Sequence, residues 1–197
     1  MKKILLAVSC LALFAACAGG RGRADIAVYD LGPAVLAPSA AAAAHAGLAL
    51  EVRLPPWLDD QAMNYRLAYA DAQRLHAYAQ ARWAASPQLL LQQRLRQQLA
   101  VAPGGAPCTL RIELDDFSQS FASPAASSAV LRGEALLLGK GRAQRARQPL
   151  QIDVPAATAD AAGGAAALAA AGNKLSTTLA QWLQGQDLAA CQGAGQG

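Results

Sequence analysis

Cysteine carries the clearest chemistry in this chain, and four cysteines occur in 197 residues. Cys17 follows Leu13-Phe14-Ala15-Ala16, which resembles a lipobox, with Phe14 standing where that motif usually has Leu. Cleavage between Ala16 and Cys17 would make the thiol side chain N-terminal. It could then take a thioether-linked diacylglycerol and further acyl chains such as palmitate. The residues ahead of it fit this chemistry. Lys2 and Lys3 supply a positive start, and Ile4 to Ala16 is apolar apart from Ser9 and Cys10. That is the order of a secretory signal peptide, and the run is shorter than the roughly 20 residues a membrane helix needs. Each buried CH₂ contributes about 0.8 kcal/mol, so several acyl chains give lasting attachment.

With Cys10 removed and Cys17 acylated, Cys108 and Cys191 remain, and an oxidising compartment favours a disulfide between them over two free thiols. Other polar groups offer less. Asp115-Asp116 would point to opposite faces of a strand and lack a shared focus for acid–base work, so a solvated strand end is expected. Gly139-Lys140-Gly141 lacks both the earlier glycine and the Ser or Thr of a phosphate loop, and reads as a hairpin turn. His45 and His76 have no ligands at metal spacing, which makes surface histidines the expectation and leaves no metal or cofactor site. No GxSxG, HExxH or CxxC occurs, so an enzyme is not expected. Arg142, Arg145 and Arg147 form a basic cluster on a predicted strand. It would be either an exposed strand face or a contact for an acidic partner or headgroup.

The elements that must position these groups follow from periodicity. Ile26 to Leu31 is a short strand candidate, and Leu48 to Leu54 alternates until Pro55-Pro56 ends it. Between Met63 and Trp83, the alternation of Tyr65, Leu67 and Tyr69 predicts a hairpin turning at Asp71-Ala72-Gln73, whereas propensity alone would write a helix. Ser86-Pro87 opens an amphipathic helix carrying Leu91, Leu95 and Leu99, with Ser86 as N-cap and Pro103-Gly104-Gly105 as its stop. Cys108 to Phe117 is a strand with Leu110, Ile112 and Leu114 on one face. Ser128 to Leu138 and Arg142 to Val154 form a second hairpin, in which Pro149 implies an edge or a bulge. From Asp160 a last helix carries Leu168, Gly172, Leu175, Leu179 and Trp182. These elements predict an α/β fold, a two-layer sandwich of a mainly antiparallel sheet with two helices on one face.

Length allows one domain. Residues 1–16 read as a signal peptide, 17–25 as a lipidated N-terminus and flexible Gly/Arg tether, and 26–197 as a single periplasmic domain. Arg21 and Arg23 could meet anionic headgroups or simply extend the tether. The net charge of +4 includes Lys2 and Lys3, which leave with the leader. What remains is mild, and an exported chain of this kind has no nucleic-acid partner.

Tyr29-Asp30-Leu31-Gly32, Pro55-Pro56-Trp57-Leu58-Asp59, Tyr65-Arg66-Leu67 and Arg82-Trp83-Ala84 followed by Pro87 and the Leu-rich helix resemble the ABC-type transport auxiliary lipoproteins. The likeness runs over most of the mature chain and includes the lipobox. It implies a compact α/β domain anchored to the outer membrane, with no catalytic residues. It further implies a partnership with the mammalian-cell-entry (MCE) domain subunit of a lipid-transporting ABC system, with homo-oligomeric rings as an assembly. The absence of Asp after Cys17 agrees with the outer membrane. A periplasmic carrier holding one acyl chain between helices and sheet, and a structural envelope lipoprotein without a transport partner, are the alternatives.

Overall fold

The computed structural model describes residues 25–34, 45, 47–101 and 106–191. Its backbone is organised around one long strand, β5 (Cys108–Ser123), which pairs antiparallel with β6 (Ala126–Leu138) along nearly its whole length. On its other side β5 takes two short strands in succession. β2 (Leu48–Arg53) runs parallel to Cys108–Glu113, and β3 (Ala62–Leu67) runs parallel to Gln119–Phe121. The sheet extends from β3 to antiparallel β4 (Asp71–Trp83), and then to the three-residue β1 (Ala27–Tyr29), which lies parallel to the end of β4. At the opposite edge β7 (Gln144–Pro155) pairs with β6. The sheet is seven-stranded and mixed, and most of its paired residues are antiparallel.

Two helices, α1 (Pro87–Leu99) and α2 (Ala161–Gln184), pack on one face and on each other, which completes the expected two-layer sandwich. Leu91, Leu95 and Leu99 are buried as their four-residue spacing requires. Fully burying each such side chain contributes roughly 1.5–3 kcal/mol. The inner face of β5, with Leu110, Ile112 and Leu114, meets them, together with Ala135 and Leu137 of β6 and Leu150 and Ile152 of β7. In α2 the buried stripe is built largely from Gly and Ala around Leu168, Leu175 and Leu179, so the helix lies close to the sheet. The last apolar contact is made by Leu183; Trp182 is only partly buried.

Several expectations from the sequence are corrected. The first hairpin exists, but its turn is Ala68–Ala70, three residues earlier than expected, because Asp71 Oδ1 accepts from the backbone N–H groups of Gln73 and Arg74 at the start of β4. Ser86 precedes α1 with Pro87 in its first turn, yet its side chain makes no capping bond. Asp115-Asp116 is not a strand end. β5 continues to Ser123, and the register with β6 slips between Leu114 and Asp116, so the pair occupies a bulge. Opposite the bulge stands Gly133 at φ +150°, where a Cβ would lie 2.1 Å from the Glu113 carbonyl oxygen, and no other residue fits there. Pro149 sits within β7, the edge strand, as its missing N–H demands. Pro103-Gly104-Gly105 lies outside the described residues, as do the leader, Cys17 and most of the tether.

Candidate functional site

The face of the sheet opposite the helices is charged and internally paired. Glu51 of β2 lies at its centre. It accepts from Arg53 on the same strand, from Arg111 of β5 at 2.8 Å and from Arg142 at 2.8 Å, and Arg111 also reaches Glu113. Burial alone would raise the Glu51 carboxyl, but hydrogen bonds from Arg111 and Arg53 outweigh it and hold the pKa below its usual value. Arg111 is correspondingly raised by its bond to Glu51. Further along the face Arg132 grips Asp153 at 2.7 Å with two bonds, Arg66 lies 3.7 Å from Asp116, and Arg147 pairs with Glu134. Leu136 is buried on this face between its strand neighbours Arg111 and Arg147, whose aliphatic stems flank it.

The predicted basic cluster is therefore divided. Arg142 is not on the strand but ends the 3-10 turn Lys140–Arg142, at φ 63°, and is held by Glu51. Arg147 is held by Glu134, and only Arg145 of the three is exposed without a carboxylate partner among the described residues. Around Glu51 and Glu134 the surface is a neutralised lattice in which Arg145 alone of these three keeps a free guanidinium among the described residues, rather than a basic patch. The Gly139-Lys140-Gly141 segment is a turn between β6 and β7.

Both histidines serve structure. His45 is buried, not on the surface, and its Nδ1 lies 2.7 Å from the Leu99 carbonyl oxygen, one of the carbonyls that the end of α1 leaves unpaired. His76 stacks on Tyr65, which also contacts Tyr78 and Phe121. The Tyr78 hydroxyl donates to Gln119 Oε1 at 2.9 Å, and burial, then Tyr65 and Asp160, push its pKa up to about 12. Gln119 Nε2 in turn donates to Ser127 and to the Asp160 carbonyl. Asp160 caps α2 by accepting from the Gly163 N–H at 2.7 Å, a bond that lowers its pKa. No group of three or more His, Cys, Asp or Glu able to hold a metal occurs among the described residues.

Sequence reasoning missed Arg94. This α1 residue is 3% exposed, and its guanidinium donates to the carbonyl oxygens of Leu31 and Gly32 and to Asn173 of α2. It thereby joins both helices to the segment after β1. Burial lowers its pKa against the opposing pull of Asp30. Beside this junction an open, mainly apolar groove of about 530 Å³ runs between residues 28–32 and the alanines Ala162, Ala165, Ala166 and Ala169 of α2.

Cys108 and Cys191 are joined by a disulfide with a Cα separation of 5.1 Å, which ties the first residue of β5 to the 3-10 turn beyond α2. No helix among the described residues is long and apolar enough to cross a membrane.

Residues 29–180 match a family model described as ABC-type transport auxiliary lipoprotein component. Among solved structures, a Xanthomonas campestris protein described under the family model DUF330 shares the fold with a TM-score of 0.65 at 20% identity, over 79% of this chain and 93% of that one. A second, titled only as an uncharacterized protein, aligns with a TM-score of 0.63 at 19% identity, over 81% and 99% of the two chains. No curated protein matches the sequence.

Proposed function

Because the chain belongs to the ABC-type transport auxiliary lipoprotein family, we propose that it is a non-enzymatic subunit fixing the outer-membrane end of an MCE-type lipid-transport system. In this reading Cys17 carries the lipid anchor, residues 17–25 form the tether, and the sandwich docks a periplasmic conduit, alone or as a homo-oligomeric ring. The family match over residues 29–180 carries the reading. A domain built for docking needs a rigid body with a defined surface, and the paired charges of the open sheet face supply one. Arg53, Arg111, Arg132, Arg142 and Arg147 there are already oriented by carboxylates, so a partner meets fixed donors and acceptors without ordering long side chains. Arg145, free of such a partner, is the group best placed to meet an acidic residue of the conduit.

The test is in-cell crosslinking from a photoreactive residue at position 145, with the mature protein's mass measured in parallel. Capture of an MCE-domain subunit and acylation at Cys17 are expected. Deleting the gene should raise envelope permeability while removing no enzymatic activity. An intact barrier, unchanged lipid trafficking and no MCE crosslink would overturn the docking role.

One observation favours a second reading as a lipid carrier, namely the apolar groove beside α2. Native mass spectrometry decides between them. A co-purifying phospholipid displaced when Ala165 is enlarged supports a carrier, and a bare oligomer supports the docking subunit.

A further inference from the structure

Among the described residues five large apolar side chains are exposed, Ile26, Val28, Trp57, Tyr69 and Leu89, and four of them gather where β4 ends. Val28 is the strand neighbour of Arg82, and the next residue, Tyr29, accepts from the Ala84 N–H at 2.7 Å. The Trp57 loop is fastened to the same place, since Gln61 takes the Trp83 N–H and donates its side chain to the Ala84 carbonyl. Leu89 arrives there because Asp59 of that loop accepts from the Gln88 N–H in the first turn of α1. Tyr69 is at the other end of β4, bonded to Phe121.

Trp57 is held out rather than left loose. Pro55-Pro56 fixes a turn closed by the Leu58 and Asp59 N–H groups, and Leu58 is buried at 1% exposure while Trp57 stands at 67%. The loop thus places its aliphatic residue in the core and its indole in solvent. An indole has an apolar body and an N–H donor, the combination that settles at a membrane–water interface.

From this arrangement we propose that this corner of the domain inserts shallowly into the bilayer surface, with Trp57, Leu89, Val28 of β1 and the preceding Ile26 at the headgroup–acyl boundary. The proposal rests on the lipid-anchored reading in one respect. Residues 17–25 join the Cys17 lipid to Ile26, and so short a tether reaches at most about 30 Å. The anchor therefore ends at the very corner that carries the apolar side chains. Arg82 is exposed without a carboxylate partner among the described residues and adds a donor for phosphate. Asp59 and Asp60 of the loop turn their carboxylates onto the backbone N–H groups of Gln88 and Ala62. Insertion is consequently driven by apolar area, with weak dependence on salt.

The test uses the purified full mature chain in vesicles of phosphatidylethanolamine and phosphatidylglycerol whose acyl chains are brominated near the headgroup. Bromine quenches tryptophan only at close range, and Trp57 is one of three tryptophans. Roughly a third of the emission should be lost, as expected for an interfacial indole, and the loss should vanish in Trp57→Phe. Equal quenching in both proteins, or none, overturns the proposal, as does shielding of Trp57 from acrylamide only when an MCE-domain subunit is added. The intact mass of the same sample reports Cys17 acylation. Quenching without acylation upholds the corner and removes the anchor; acylation without quenching does the reverse.

Discussion

Arg94 shows how much one buried side chain can join. Its guanidinium serves two carbonyls after β1 and Asn173 of α2, so Arg94→Met keeps the stem and orphans the Leu31 and Gly32 carbonyls, while Asn173 Oδ1 keeps its donor from Gln98. Hydrogen bonds to charged groups are worth about 1.5–3 kcal/mol each, and solvent re-entry recovers part, so a loss of about 2–4 kcal/mol is expected by urea unfolding. A change below about 0.5 kcal/mol would mean that the helices are held by apolar packing alone. The spacing did contain a signal, because Arg94 follows Leu91 by three and precedes Leu95 by one, on the apolar stripe. Charge argued for solvent and position argued for burial, and only the carbonyls brought by β1 decide between them. Tyr78 makes a pH prediction at the same scale. Its folded pKa is raised from 10.0 to about 12, so its contribution is complete below pH 10 and is lost as pH rises towards 12. Tyr78→Phe removes the bond to Gln119 at about 1 kcal/mol and should flatten this alkaline decline. An unchanged slope between pH 10 and 12 would place the titrating group elsewhere.

Elements were legible where two periods agreed and obscure where they competed. The β3–β4 hairpin was readable from the alternation of Tyr65 and Leu67 although Ala, Gln and Arg favour helix, because pairing with β5 and β1 makes both strands interior to the sheet. The bulge at Asp115 was not readable, since it depends on Gly133 across the strand pair, and Gly133 has no local pattern. The partition of Arg142, Arg145 and Arg147 was hidden for the same reason, as Glu51 and Glu134 reach them only through sheet register. Helix α2 gives a prediction in which two effects oppose. Gly164→Ala gains about 1 kcal/mol of helix propensity. Its new Cβ, however, would lie 1.9 Å from Gln119 Oε1, and Gln119 is held by Tyr78, Ser127 and the Asp160 carbonyl. Overpacking of a pinned group costs about 1–3 kcal/mol, so a net destabilisation of up to about 2 kcal/mol is expected by thermal unfolding. A stabilised variant would show that Gln119 can turn away without loss.

At the scale of the molecule, the helix layer is thin and small-sided. It covers β2 and β5–β7, while β1 and the end of β4 are bordered by the open groove and the apolar corner. Such a body gains from a link between its sheet and its last turn, and Cys108–Cys191 is that link, closing a sequence separation of 83. On the chain-entropy model a loop of this length stabilises by about 4.5 kcal/mol, and native strain or residual structure in the unfolded chain lowers the figure. The doubly substituted Cys108→Ser, Cys191→Ser protein leaves no free thiol to mispair and should melt about 10–15 °C lower. Cys108 and Cys191 are both almost fully buried, so part of that loss comes from placing hydroxyls among apolar neighbours. The Cys108→Ala, Cys191→Ala variant separates the two contributions, because it removes the crosslink without adding a polar group. If that variant melted with the wild type, the bond would be dispensable, and packing of α2 on β6 and β7 would suffice to hold the C-terminal turn. If it melted with the serine variant, the crosslink itself would hold the turn, and the domain would depend for full stability on an oxidising compartment.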